Sequence, residues 1–67
     1  MLKTLLKKLF LKPKYRIGDL VRWNNMTFFV NDYYFDKEKN EMKYILFNYK
    51  YGIFYENIYE NEIEGKN

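Results

Sequence analysis

The first twelve residues, MLKTLLKKLFLK, place apolar side chains at the spacing of one face of a helix. Leucine and phenylalanine recur three and four positions apart over residues 2–10, while lysines fill the opposite side of the helical wheel. Pro13 disfavours helical backbone angles at Lys12. The pattern therefore predicts a short amphipathic N-terminal helix over residues 1–12. So short a helix is marginal alone and needs a surface on which to pack.

From Tyr15 onward the apolar pattern changes to the alternation that is typical of strands. It predicts five short antiparallel strands, at residues 20–23, 26–30 with a continuation to 35, 42–48, 53–56 and around 62–64. Turns are predicted at Asn24-Asn25, because asparagine tolerates positive φ, and over the wholly polar stretch 36–41. One turn of 3₁₀ helix is predicted within residues 57–61, before the last strand.

Two short motifs frame the part of the chain that is predicted to form strands. Tyr-x-Ile-Gly-Asp-x-Val-x-Trp begins at Tyr15, and Ile-Phe-Tyr-Glu-x-x-x-x-x-Glu-Ile-Glu begins at Ile53, with a charged hairpin and an aromatic third strand between them. In these features the chain resembles the small SH3-like barrels of bacteria and of their phages and mobile elements. The resemblance implies a mainly β fold: a five-stranded antiparallel SH3-like barrel over residues 15–64, preceded by the helix. Such barrels have many functions, so the resemblance leaves function open.

Strand alternation divides the large apolar side chains into a core set and a surface set. The predicted core consists of Ile17, Val21, Trp23, Phe28, Val30, Tyr44, Leu46, Phe54, Ile58 and Ile63. A barrel of this size cannot also bury Phe29, Phe35, Ile45, Phe47, Tyr49, Tyr51, Tyr55 and Tyr59. Exposed apolar patches usually mark contact sites. We therefore predict a protein-binding surface that contains Phe29, Phe47, Tyr49, Tyr51, Tyr55 and Tyr59.

The composition excludes most enzyme chemistry. Among 67 residues there is no cysteine and no histidine, which removes thiolate nucleophiles, Cys/His metal sites and imidazole acid–base catalysis. Asp19 is expected to bind the backbone amides of its own turn. The acids Glu56, Glu60, Glu62 and Glu64 lack the spacing of a calcium loop and predict a solvated acidic face. We predict a non-enzymatic protein without catalytic, cofactor-binding or metal-ligating residues.

Positive charge is concentrated at the start of the chain, where residues 1–16 carry six basic side chains and no acid. The candidate basic segment consists of Lys7, Lys8, Lys12, Lys14, Arg16 and Arg22. Lysines that neutralise phosphates and tyrosines that stack on bases could bind nucleic acid. Residues 17–67 carry six basic and nine acidic side chains, however, and a net negative body repels phosphate. Nucleic-acid binding is therefore the second hypothesis.

The leucine face of the N-terminal segment has three possible partners. It could cover the barrel as a lid, pair with a second copy or a partner's groove, or lie on an anionic membrane surface. The lid is the favoured alternative, because a three-turn helix gains most of its stability from packing. The membrane is the least favoured, because ten residues bury little area. A bias toward Lys, Asn, Tyr, Ile and Phe is consistent with an AT-rich phage or mobile element. We predict a cytoplasmic accessory protein that binds a host protein or itself through its tyrosine-rich surface.

Overall fold

A computed structural model of the protein describes residues 12–67. The strands are β1 (Leu20–Trp23), β2 (Met26–Asp36), β3 (Glu41–Asn48), β4 (Ile53–Tyr59) and β5 (Gly65–Lys66), with a 3₁₀ turn at Glu60–Glu62. They form one antiparallel sheet in the order β4-β3-β2-β1-β5. The predicted set of five antiparallel strands is confirmed.

The sheet is open, so the predicted closed SH3-like barrel over residues 15–64 is wrong. β4 and β5 form the two edges of the sheet, and no backbone ladder joins them in residues 12–67. β5 contributes only two residues, and both pair with β1 at Val21 and Arg22. Residues 12–67 form a mainly β open sheet.

The predicted N-terminal helix over residues 1–12 is not supported. Residues 1–11 lie outside the described part of the chain, and Lys12 is exposed and non-helical. Between Lys12 and Asn67 the structure contains no α-helix.

The turns between the first three strands lie where the sequence predicts them. Asn24 and Asn25 have φ angles of 52° and 62°. These are the left-handed angles of a two-residue hairpin turn whose twist matches that of the flanking strands. The wholly polar stretch forms the next turn, from Lys37 to Asn40.

Replacing Asn25 with alanine is expected to destabilise the protein by about 1 kcal/mol, because left-handed angles cost L-residues roughly 1–2 kcal/mol and asparagine tolerates them best. Urea denaturation measures the change in the free energy of unfolding. The matched control is Asn31→Ala, at an exposed β2 position without positive φ. An equal decrease in the free energy of unfolding in both variants would contradict the stabilising role of asparagine at the positive φ of Asn25.

The last elements lie later in the chain than the sequence predicts. β4 continues to Tyr59 because the β3–β4 pairing shifts register between Tyr44 and Leu46, and Asn57 takes a φ of 61° within the strand. Such a bulge absorbs an extra residue without ending the strand. The 3₁₀ turn and β5 are displaced accordingly.

The core covers one face of the sheet, which we call the inner face. It consists of Tyr15, Val21, Phe28, Val30, Tyr44, Leu46, Ile58 and Ile63. Tyr15, which the predicted core omits, precedes β1 and packs edge-on against Tyr44 with ring centroids 5.7 Å apart. Two predicted core residues are instead exposed: Ile17 at 60% and Phe54 at 55%. Ile17 lies before β1, where strand alternation does not apply.

Candidate protein-binding surface

The face of the sheet opposite the core carries a continuous row of large apolar side chains. Leu20 on β1 pairs with Phe29 on β2, Phe29 pairs with Phe47 on β3, and Phe47 pairs with Phe54 on β4. We call these four residues the outer apolar row. Because neighbouring strands lie about 4.8 Å apart, the row extends roughly 15 Å across the sheet.

Aromatic contacts within the row and beside it fix the positions of the rings. Phe47 and Phe54 have ring centroids 4.7 Å apart, and Phe29 packs against Tyr49, just beyond the end of β3, at 5.2 Å. These contacts bury Phe29 and Phe47 only in part. Phe54 and Tyr49 remain 55% and 57% exposed. The surface is therefore ordered by its own contacts but still presents apolar area to solvent.

Beside the outer apolar row, two turns enclose a polar cleft of about 260 Å³. We call it the turn cleft. Its lining includes Arg22, Asn25, Thr27, Tyr49, Lys50 and Tyr51. Of the described residues that line it, two are cationic and none is acidic.

Asn48 holds the turn that places Tyr49, Lys50 and Tyr51 at this cleft. Its buried side-chain Oδ1 accepts the backbone N–H groups of Lys50 at 2.9 Å and Tyr51 at 3.1 Å. Gly52, with a φ of 68°, donates its N–H to the Asn48 carbonyl at 2.7 Å. Sequence reasoning missed Asn48, although asparagine before a turn that contains glycine is a signal for such bonding.

The structure brings together four of the six aromatic residues in the predicted protein-binding surface. Phe29 and Phe47 lie in the outer apolar row, and Tyr49 and Tyr51 lie at the turn cleft. Their assembly follows from strand pairing, which places β2 and β3 side by side.

The remaining two predicted residues lie elsewhere. Tyr55 points to the inner face, where its ring lies 5.4 Å from the rings of both Trp23 and Phe28. Tyr59 lies beyond the β3–β4 bulge, with Lys43 Nζ 4.8 Å from its ring centroid. Sequence reasoning also missed Phe54, because it assigned that residue to the core.

The candidate basic segment does not line a common recess in the described part of the chain. Lys7 and Lys8 lie outside residues 12–67. Lys12 and Arg16 border a recess with Ile17, whereas Arg22 lines the turn cleft. Lys14 is exposed, and its backbone N–H donates to Glu60.

Acidic side chains near the turns support the backbone. Asp19 Oδ2 accepts the N–H of Arg16 at 2.9 Å, as predicted for this turn, and that hydrogen bond is the main cause of the lowered pKa of Asp19. Glu62 accepts the N–H of Tyr59 at 2.9 Å. Among the described residues no group of three or more acidic side chains is arranged to hold a metal ion.

Comparisons with protein-family models, curated proteins and solved structures found no match. The SH3-like family resemblance therefore stays a prediction. In residues 12–67, no helix has both the length and the apolar character needed to cross a membrane.

Proposed function

We propose that the protein is a non-enzymatic binding module whose outer apolar row contacts another protein. The supporting observation is that four apolar side chains lie in register on the face opposite the core. Within residues 12–67 the core consists of eight other residues, and none of the four side chains of the row belongs to it. Exposed apolar patches of this kind mark contact sites.

The free energy available at this surface is considerable. A phenylalanine or tyrosine presents roughly 150–250 Å². Phe54 and Tyr49, each slightly more than half exposed, therefore leave about 100 Å² apiece uncovered. At about 25 cal/mol per Å², covering each ring would contribute ~2–3 kcal/mol. A partner that covers both rings gains enough to offset part of the entropy cost of association.

The size of the row favours a short segment of the partner. A patch about 15 Å across offers on the order of 200–400 Å², below the roughly 800 Å² that each partner buries in a standard interface. A single extended or helical segment can cover such a patch. An extensive homodimer would need further contacts.

The test selects peptides from a random dodecapeptide display library on the immobilised full chain. We expect the selected peptides to be enriched in large apolar residues, because these side chains would cover the outer apolar row. Fluorescence polarisation then measures the Kd of the strongest peptide. Phe54→Ser is expected to weaken binding about tenfold or more, equivalent to at least ~1.4 kcal/mol.

The matched control is Ile17→Ser, which removes an equally exposed apolar side chain from a different recess. The proposal would be contradicted if the two variants weakened peptide binding equally. It would also be contradicted if the selected peptides were not enriched in large apolar residues. Sedimentation of the full chain supplies a further test. Dimerisation that Phe54→Ser abolishes would show that the row binds a second copy in place of a partner segment.

Nucleic acid is the alternative ligand, and the turn cleft is the observation that favours it. Arg22 and Lys50 could neutralise phosphates there, while Tyr49 and Tyr51 could stack on bases. Residues 12–67 carry nine basic and nine acidic side chains, so this part of the chain has no net attraction for a polyanion. Tight binding to single-stranded oligothymidylate that survives about 0.2 M salt would favour this alternative.

A further inference from the structure

We infer that the partner segment is acidic as well as apolar, and that the turn cleft binds one of its carboxylates. This inference rests on the proposed function and adds the chemical character of the ligand. It assigns the cleft to an aspartate or glutamate that flanks the apolar residues of the segment.

The turn cleft adjoins the outer apolar row directly. Arg22 follows Leu20 by two positions on β1, and Tyr49, just beyond the end of β3, packs against Phe29 with ring centroids 5.2 Å apart. Positions two apart on a strand share a face and lie about 7 Å from each other. One short segment can therefore contact both the row and the cleft.

The two cations of the cleft are available to a ligand. The ion pairs within residues 12–67 are Lys43–Asp36 and Lys66–Asp19, so Arg22 and Lys50 are not engaged in either. Lys50 Nζ lies 5.6 Å from the ring centroid of Tyr51, which also lines the cleft. An arginine guanidinium binds a carboxylate through two parallel hydrogen bonds, and a nearby ammonium adds a further charge-assisted bond.

One acid stands near the cleft without lining it. Glu64 accepts the backbone N–H of Asn25 at 3.4 Å, and its own N–H donates to the Arg22 carbonyl at 2.8 Å. Its carboxylate therefore lies at the β1–β2 turn, which forms one side of the cleft. Glu64 is not among the described residues that line the cleft, and none of those residues is acidic.

A peptide carboxylate fits the charge pattern better than a polynucleotide does. On the other side of the outer apolar row, the exposed Asp32 on β2 lies opposite Ile45 on β3. A polynucleotide that crosses the row would bring phosphates toward Asp32. An apolar peptide with an acid at one end would place its charge at Arg22 and Lys50 alone.

The experiment uses the same dodecapeptide library on the full chain and on the double variant Arg22→Gln/Lys50→Gln. With the wild type we expect enrichment of aspartate and glutamate beside large apolar residues. With the double variant the acidic enrichment should disappear while the apolar enrichment stays. The Kd of the leading acidic peptide should weaken about tenfold or more, and its salt dependence should decrease.

The control Lys37→Gln/Lys39→Gln removes the same charge from exposed lysines in the turn between β2 and β3. It should leave the Kd unchanged, and circular dichroism verifies that each variant is folded. If the double variant does not fold, the single variant Lys50→Gln, at an exposed turn position, replaces it. This variant should weaken binding of the leading acidic peptide by a smaller factor. An unchanged Kd in the folded variant would overturn the inference.

The outcomes separate the inference from the proposed function. Apolar enrichment without acidic enrichment overturns the inference and leaves the function in place. Selection without apolar enrichment overturns both. A third outcome would show that the cleft binds phosphate and that the carboxylate assignment is wrong. In that outcome oligothymidylate binds the wild type tightly and the double variant weakly, and no acidic peptide is selected.

Discussion

Replacing Phe28 with aspartate is expected to unfold the protein, whereas Phe54→Asp is expected to leave it folded. Both residues are phenylalanines in strands, but Phe28 is fully buried on the inner face and Phe54 is 55% exposed on the outer face. Phe28 also packs edge-on against Trp23 with ring centroids 5.4 Å apart. The two substitutions therefore make the same chemical change in opposite environments.

The expected energies support this contrast. Removing a buried phenylalanine costs about 3–5 kcal/mol. An uncompensated buried carboxylate adds several kcal/mol more. The whole chain of 67 residues has a stability of only about 3–10 kcal/mol, at roughly 0.05–0.15 kcal/mol per residue. Phe54→Asp keeps its charge in water and loses mainly the contact with Phe47.

Far-UV circular dichroism and thermal melting measure this outcome. Val21→Asp serves as a second inner-face variant, because Val21 is also fully buried on β1. A cooperative melt of Phe28→Asp close to that of the wild type would show that the two faces have been assigned wrongly. Unfolding of Phe54→Asp would lead to the same conclusion.

Tyr44→Phe is expected to destabilise the protein and to remove part of its sensitivity to alkaline pH. The Tyr44 hydroxyl donates a hydrogen bond to Glu60 and accepts one from the backbone N–H of Tyr15 at 3.2 Å. Glu60 Oε2 also accepts the N–H of Lys14 at 2.8 Å. The phenol therefore connects the segment before β1 to β3 and to the 3₁₀ turn. Its removal leaves the buried Tyr15 amide without this partner and should cost about 1–3 kcal/mol.

The pH dependence follows from the same environment. Burial raises the pKa of Tyr44 well above the ordinary value of about 10, and the hydrogen bond to Glu60 raises it further. The folded state thus favours the neutral phenol more strongly than the unfolded state does. This contribution is fully present below about pH 10 and is lost progressively as the pH rises toward the folded-state pKa. Tyr44→Phe lacks this titration, so its stability should decrease less over that range.

Urea unfolding between about pH 8 and pH 11 measures both effects, since the window spans the ordinary tyrosine pKa. Tyr49→Phe is the control, because its ring is exposed on the outer face. Parallel pH profiles for the wild type and Tyr44→Phe would contradict the role of the buried phenol. Equal destabilisation by Tyr49→Phe would contradict the contribution of the network.

The strands and early turns were predictable because their signals are local. Alternation identified the inner-face residues of β1 and β2, and the pair Asn24-Asn25 identified the turn between them. Phe54 was misassigned because the β3–β4 pairing contains a bulge, which the sequence pattern does not reveal. Tyr15 was missed because it precedes the first strand, where no alternation assigns a side to it. The barrel was wrong because closure depends on distant pairing between strand edges.

Only part of the candidate site was predictable, because strand alternation is a local signal and the turn cleft depends on residues that are distant in sequence. Alternation within a single strand was enough to predict that Phe29 and Phe47 lie on the surface. The turn cleft combines Arg22 from β1 with Lys50 from the turn after β3, and no local pattern connects two such distant residues. Tyr55 was assigned to the surface, but the register of β4 turns it toward Phe28.

The short β1–β5 ladder has a consequence for the order of folding. The hairpins β1–β2, β2–β3 and β3–β4 join strands that are consecutive in sequence, so each can form with a small loss of chain entropy. β5 must instead return across the whole sheet to reach β1, where Glu64 and Asn67 donate to the carbonyls of Arg22 and Leu20. We therefore expect this ladder to form after the three hairpins. On this expectation, the backbone edge of β1 at Leu20 and Arg22 stays unpaired during folding until the other four strands have assembled.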